Sequence, residues 1–309
     1  MKYSQWVDEW LESYVRPSVK EKTYQNYREI MRLHIVPYLG DKEIESMDKK
    51  ALLEWCNNIS RYGNRKTGAG LSAGTVGLIL SILQKSLRVA VDVGIVSEQF
   101  SDCIKHPKYD EKRIPCFTLA EQKKIEWEIL KKPSYKNIGA LICLYTGLRI
   151  GELMALKWEN VDFKNGVISV NATCRDGYQN GKYVKLMDTP KTSSSKRVIP
   201  VPRQLLPYLS ALKKASKSEY VISSPHGEMS VRLYQKNFAS LLKRLKIEHR
   251  SFHALRHTFA TRALECGMDV KTLADILGHK NPNITLNRYA HSMMEHKIAM
   301  MNRVGQFLK

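Results

Sequence analysis

The stretch SFHALRHTFAT, Ser251 to Thr261, decides how the rest of the chain is read. On a helix, His253, Arg256, His257 and Ala260 fall at i, i+3, i+4 and i+7 and share one face, beside an apolar stripe of Phe252, Leu255 and Phe259. A cationic cluster thus rides on a helix that packs. Standing alone, a His-x-x-Arg pair is ordinarily a solvated basic face. Two histidines at i, i+4 also fit a metal, but a metalloprotease needs Glu directly after the first, where Ala254 stands, and no third ligand is evident. Neither a metal nor a cofactor is expected.

Two other stretches carry charge at chain turns. In TGLRIGELMAL, 146–156, Arg149 follows the helix-ending Gly147 and precedes a helix bearing Glu152. An exposed Arg–Glu pair of this kind contributes little by itself. In LGHKNPNITLNRYAHS, 277–292, Gly278 stops a helix, His279 follows in the turn, and Tyr289 sits on a short helix beyond Pro282. Taken one at a time, His279 and Tyr289, the latter one of 15 tyrosines, read as structural.

The chain has 309 residues, room for roughly two domains of ~100–200 residues. Lys and Arg number 50 against 30 Asp and Glu, a formal charge of +20. That excess calls for a polyanionic partner, and its spread along the chain favours nucleic acid over a membrane surface. The charged N-terminus is no signal peptide, and no window reads as the ~18 apolar residues of a membrane span, so a cytoplasmic protein is expected. The six cysteines lie far apart without metal-ligand spacing and read as reduced thiols.

The first third reads as helices at Tyr3 to Tyr14, from Ser18 to a stop at Pro37 and Gly40, at Asp48 to Ile59, and from Ser72 to Gly94. The segment 105–116, KHPKYDEKRIPC, reads as an interdomain linker, dividing a helical domain at 1–104 from a second at 117–309. Thr118 and Glu121 form a capping box that opens the second domain. Between Val161 and Val201 the period changes to two, predicting one small antiparallel sheet, and helical patterns then resume to the end. The fold class is mainly α with a small antiparallel sheet. Gly68 to Gly77 lacks the Gly-Lys-Ser/Thr of a P-loop, and Ser193 to Ser195 lacks a nucleophile elbow.

Arg149 in T-G-L-R-x-x-E, then His253-x-x-Arg256-His257-T, then L-G-His279, then Tyr289, in this order, resembles the tyrosine recombinase (phage integrase) family. The N-terminal T-Y-Q-N-Y-R and the L-S-x-x-T-V near Leu71 are similar to that family's core-binding domain. The resemblance implies a core-binding domain followed by a catalytic domain, and a recombinase that cuts and rejoins DNA through a 3′-phosphotyrosine. It implies Tyr289 as nucleophile, Arg149, Arg256, His253 and His279 around the phosphate, and Lys191 in D-T-P-K-T-S as general acid. Lys185 and Lys196, on the same sheet, stay open for that last role, and Glu152 is expected to orient the cations. Such a site makes physical sense: a phosphodiester cut without metal needs its non-bridging oxygens neutralised, and two fixed guanidiniums do that.

The resemblance further implies duplex DNA sites with inverted repeats, a homo-tetramer on paired sites, and possible accessory directionality or DNA-bending proteins. The chain begins almost directly with the core-binding segment, from which an arm-binding domain is expected to be absent. The long sheet region points to a mobile-element integrase or invertase; the alternatives are a chromosome-dimer-resolving recombinase, a type IB topoisomerase-like enzyme and a catalytically silent DNA-binding regulator. In the tail HKIAMMNRVGQFLK, Ile298, Met301, Val304 and Leu308 form an apolar stripe, docking either on its own domain or on a neighbouring protomer. The charge excess yields a direct expectation. DNA affinity falls steeply with salt, by a log–log slope of about −0.9 per phosphate neutralised, and a flat titration would remove phosphate contact as the basis of binding.

Overall fold

The computed structural model describes residues 1–309 except 48, 65–66, 97–106, 108–114, 180–181, 189–195, 225–226, 284–293 and 309. Lys191 and Tyr289 therefore lie outside the described residues, as does nearly all of the segment 105–116. The chain divides into two compact units, Met1–Lys112 and Arg113–Lys309.

In the first unit, α1 (Tyr3–Glu9) runs on into a wider π-helical segment, Trp10–Val15, and α2 (Glu21–Ile30) into another, Met31–Ile35. The second π segment corrects the sequence reading of Pro37. The helical path does not stop there, because Val36 N–H reaches back five residues to Met31 O, and Pro37 then sits in the first turn of α3 (Val36–Leu39), where a missing N–H costs nothing. α4 (Lys49–Tyr62) and α5 (Ala73–Asp92) complete the bundle, with Ser72 Oγ accepting from Thr75 N–H to cap α5.

α5 is long and apolar enough to pass for a membrane span, contrary to the reading of the sequence. Its apolar side chains go to the core instead: Val76, Ile79, Leu80, Leu83 and Leu87 are buried with Trp6, Ile35 and Leu39. Ser86, also buried, meets Tyr3 Oη at 3.0 Å and accepts from Trp6 Nε1 at 3.2 Å, which ties α1 to α5. The pair of large aromatics is thus buried without orphaning its polar atoms.

The second unit opens on α6 (Leu119–Lys131), whose capping box forms as the spacing requires: Glu121 N–H donates to Thr118 Oγ1 at 3.2 Å, and Thr118 N–H to Glu121 Oε2 at 2.8 Å. α7 (Ile138–Thr146) is apolar on nearly all sides and lies in the middle of the core. It packs against α11 (His253–Glu265), while α8 (Ile150–Ala155), α9 (Leu206–Ala215), α10 (Val231–Arg244) and α12 (Val270–Leu277) surround them. Phe238 and Phe252 meet edge to face at 5.1 Å between ring centroids.

The single sheet expected over 161–201 is two. β1 (Val161–Asp162), β2 (Val167–Val170) and β5 (Arg197–Pro200) form a three-stranded antiparallel sheet in the order β1-β2-β5. β3 (Thr173–Gln179) and β4 (Lys182–Asp188) form a separate hairpin. The chain leaves strand geometry at Asn171 and Ala172, after which β3 lies against α8. Gly151 permits that approach, since a Cβ there would fall 2.6 Å from both Cys174 O and Thr173 Oγ1. Asp176 then anchors the hairpin by accepting from Val231 and Arg232 N–H, both at 2.8 Å, at the start of α10.

The tail forms α13 (Met294–Phe307), along which Ile298, Met301 and Val304 are exposed, as is Leu308 beyond it. The close approach of α8 to the β3 backbone gives a stability test. Gly151→Ala pushes α8 away from β3 and should lower the unfolding free energy by about 1–3 kcal/mol in a urea titration; an unchanged midpoint would mean the two elements separate freely.

Candidate functional site

Two helices end close together, and their ends collect the cations. α7 stops at Gly147, whose left-handed conformation (φ 65°) suits glycine, and a Cβ there would strike Phe259 at 2.5 Å and Leu277 at 2.7 Å. α12 stops in the same way at Gly278 (φ 66°). Each left-handed stop turns the chain sharply enough to present the next residues, Leu148 and Arg149 in one case and His279 in the other, beside α11.

Arg256, from the first turn of α11, is only 3% exposed. It donates from Nη1 to Gly147 O at 2.8 Å and from Nη2 to Leu277 O at 2.7 Å, and Nη2 also stands 2.9 Å from His279 Nε2. A guanidinium only donates, so His279 Nε2 accepts. Arg149 converges on the same corner, donating from Nη1 to Leu277 O at 3.3 Å and from Nη2 to Gly278 O at 3.4 Å. Arg149, Arg256 and His279 are thus brought together. His253 is exposed on the first turn of α11, its ring 4.7 Å from that of His257.

Glu152 lies beneath them, 6% exposed. Its carboxylate accepts from Arg149 N–H at 2.9 Å, closing the first turn of α8, and from Arg149 Nη1 at 3.0 Å. Burial pushes the Glu152 carboxyl upward, but hydrogen bonds and charge from Arg197, with the charge of Arg149, outweigh it and hold the group below its ordinary value. It therefore stays ionised at neutral pH. The sequence reading expected Glu152 to orient the cations; in the structure its carboxylate bonds Arg149.

Arg197 escaped the sequence reading. It bonds Glu152 through both Nη atoms, at 3.0 and 2.8 Å, and donates from Nε to Ile276 O at 2.6 Å. The signal was available: in RVIP the period of two puts Arg197 on the same face as Ile199, which is the buried face, and an arginine facing inward requires a partner.

Of the three lysines considered for proton transfer, Lys191 is outside the described residues. The Lys185 amine is buried over the Tyr220 ring, 3.8 Å from its centroid and 4.0 Å from Glu228 Oε1, and Lys196 is exposed. Among the described residues no three His, Cys, Asp or Glu gather as a metal site. The described cluster holds three guanidiniums against one carboxylate, an arrangement suited to an anion with several charged oxygens.

The pattern of the phage integrase family matches residues 122–296, and that of the phage integrase N-terminal SAM-like domain matches residues 2–60. The chain is 31% identical to a XerC-like tyrosine recombinase of Caldanaerobacter subterraneus subsp. tengcongensis, over 93% of this chain and 78% of that protein. It is 26% identical to the transposase of transposon Tn916 from Enterococcus faecalis, over 94% of this chain and 75% of that one. Its fold is similar to that of the Tn1549 transposon integrase solved with a circular intermediate DNA, with a TM-score of 0.82, 26% identity, and coverage of 98% and 99%.

Arg256→Ala removes the donor at Gly147 O and leaves Leu277 O to Arg149 alone. A buried carbonyl without its partner costs about 1–3 kcal/mol, so the urea midpoint should fall accordingly. An unchanged midpoint would mean that these carbonyls find other donors.

Proposed function

The chain belongs to the phage integrase family, the tyrosine recombinases, and from that premise we propose that the Leu277–Gly278 corner is where it grips the scissile phosphodiester of duplex DNA. The observation that carries this reading is the convergence of Arg149, Arg256 and His279 on one pair of helix ends. Arg149 and Arg256 neutralise the non-bridging oxygens, and most strongly as charge builds in the transition state. His279, already joined to Arg256, and His253, on the exposed first turn of α11, add hydrogen-bonding groups.

Tyr289 is the nucleophile in this reading. Its oxygen gives up the phenolic proton and attacks phosphorus, the bond from phosphorus to the 5′ oxygen breaks, and Lys191 protonates the departing 5′ oxygen, which leaves as a hydroxyl. The 3′-phosphotyrosine keeps the energy of the broken ester, so a 5′ hydroxyl from a partner strand reverses the step and rejoins the backbone without ATP. The biological role is integration and excision of a mobile DNA element at sites with inverted repeats, a role in keeping with the Tn916 and Tn1549 relatives. Work on DNA is in keeping with a cytoplasmic enzyme. The active assembly is a homo-tetramer on paired sites, with accessory directionality or DNA-bending proteins as further partners. The exposed apolar stripe of α13 supports an assembly in which that helix docks on a neighbouring protomer.

A nicked suicide duplex, carrying the inverted repeats that flank the gene, tests the nucleophile on a denaturing gel. Wild-type protein should form a covalent adduct, and Tyr289→Phe should bind the duplex equally well and form none. An adduct that persists in Tyr289→Phe overturns the assignment.

A further inference from the structure

We infer that Arg197 is a positioning residue for Arg149: by matching the charge of Glu152, it keeps Arg149 turned toward the DNA phosphate. The inference rests on the phosphodiester-gripping role proposed above. It begins from the saturation of one carboxylate. Glu152 Oε1 accepts from Arg149 Nη1 and Arg197 Nη1, each at 3.0 Å, and Oε2 accepts from Arg149 N–H at 2.9 Å and Arg197 Nη2 at 2.8 Å. Four donors thus occupy the roughly four acceptor positions that a carboxylate offers.

The two guanidiniums share that carboxylate unequally. Arg197 faces it with both terminal nitrogens, side by side with the two oxygens, and its side chain is 6% exposed. Arg149 gives it a single Nη1 bond, directs Nη2 to Gly278 O, and remains 38% exposed. The buried charge is therefore matched by a residue facing inward, and the arginine at the surface is left with cationic charge to spend on an anion. Arg197 also bonds Ile276 O, one residue before the carbonyl that Arg149 and Arg256 share. Strand β5 thereby fixes both the counter-charge and the corner.

Without Arg197, a buried carboxylate has two empty acceptor positions and no matched charge, a costly state in a low-dielectric site. Arg149 is already bonded to it. The relaxation open to the cluster is for Arg149 to turn its second nitrogen onto Glu152, in the manner of Arg197, and so away from the phosphate. A role confined to holding the fold together makes a different forecast, because then the charge on Glu152 is irrelevant.

Substituting Glu152 separates the two. R197M, R197K and the double variant R197M/E152Q are compared with wild type for duplex binding, for the urea midpoint, and for the single-turnover rate of adduct formation on the nicked duplex at saturating protein. R197M should keep its DNA affinity and lose about 10–100-fold in adduct rate, the usual penalty for losing a partner that orients a charged group. R197K, which restores the charge but not the paired bonds, should recover part of the loss. R197M/E152Q, with no charge left to capture Arg149, should form adduct faster than R197M.

An R197M rate equal to wild type overturns the inference, and so does a double variant that folds yet is no faster than R197M. Where R197M alone does not fold, the uncharged double variant carries the test: a folded double variant that forms adduct supports the inference, and one that forms none overturns it. Absence of an adduct with wild-type protein itself would instead count against the recombinase reading.

Discussion

A guanidinium buried to 3% exposure needs partners, and Arg256 finds them in the carbonyls at the ends of two helices. The last carbonyls of a helix have no N–H within it to receive, and they carry the negative end of its dipole. α7 and α12 supply such ends, and Arg256 bonds both. Each problem solves the other: the helix ends gain donors, and the desolvated arginine gains acceptors. Everything else in the site is arranged around that exchange, from the left-handed stop at Gly147 to the approach of Arg149 to the same Leu277 carbonyl.

The choice of carbonyls over carboxylates has an electrostatic consequence. A carboxylate against each guanidinium would cancel the positive charge of the cluster. Here Glu152 is shared by Arg149 and Arg197, and Arg256 is held by dipoles and His279. Neutral dipoles fix geometry while leaving net charge in place. The ionised Glu152 also links the site to pH. Its pKa is lowered in the fold, so the stability it contributes is fully present above the ordinary glutamate range and is lost as pH falls through the lowered value.

How much of this could be read from the residues depends on whether the information is local. Gly147 and Gly278 mark helix ends within their own turns, the capping pair Thr118 and Glu121 is three residues apart, and the common face of His253, Arg256 and His257 follows from helical spacing alone. All were legible. Pro37 was misread because a π turn upstream changes what a proline can tolerate, and periodicity does not reveal a turn of different width. The split of the sheet was hidden because pairing depends on what lies across from each strand: β3 answers to α8, and β5 to β2, 27 residues earlier by the register Val170 to Arg197. Arg197 was missed for the same reason, since its partner Glu152 is 45 residues away and only the sheet register brings them together.

That long-range pairing also joins stability to charge placement. The α8 backbone reaches β3 only because Gly151 has no side chain, and the next residue is the carboxylate that Arg149 and Arg197 share. β5, paired with β2, delivers Arg197 from the opposite side, and Arg197 bonds the last turn of α12 as well. A helix lifted from its strand would carry Glu152 out of reach of Arg197, and a strand slipped by one residue would turn Arg197 to solvent. Packing in this unit is therefore the device that sets where the positive charge lies, and the cluster keeps its arrangement only while both the close contact at Gly151 and the register of β5 persist.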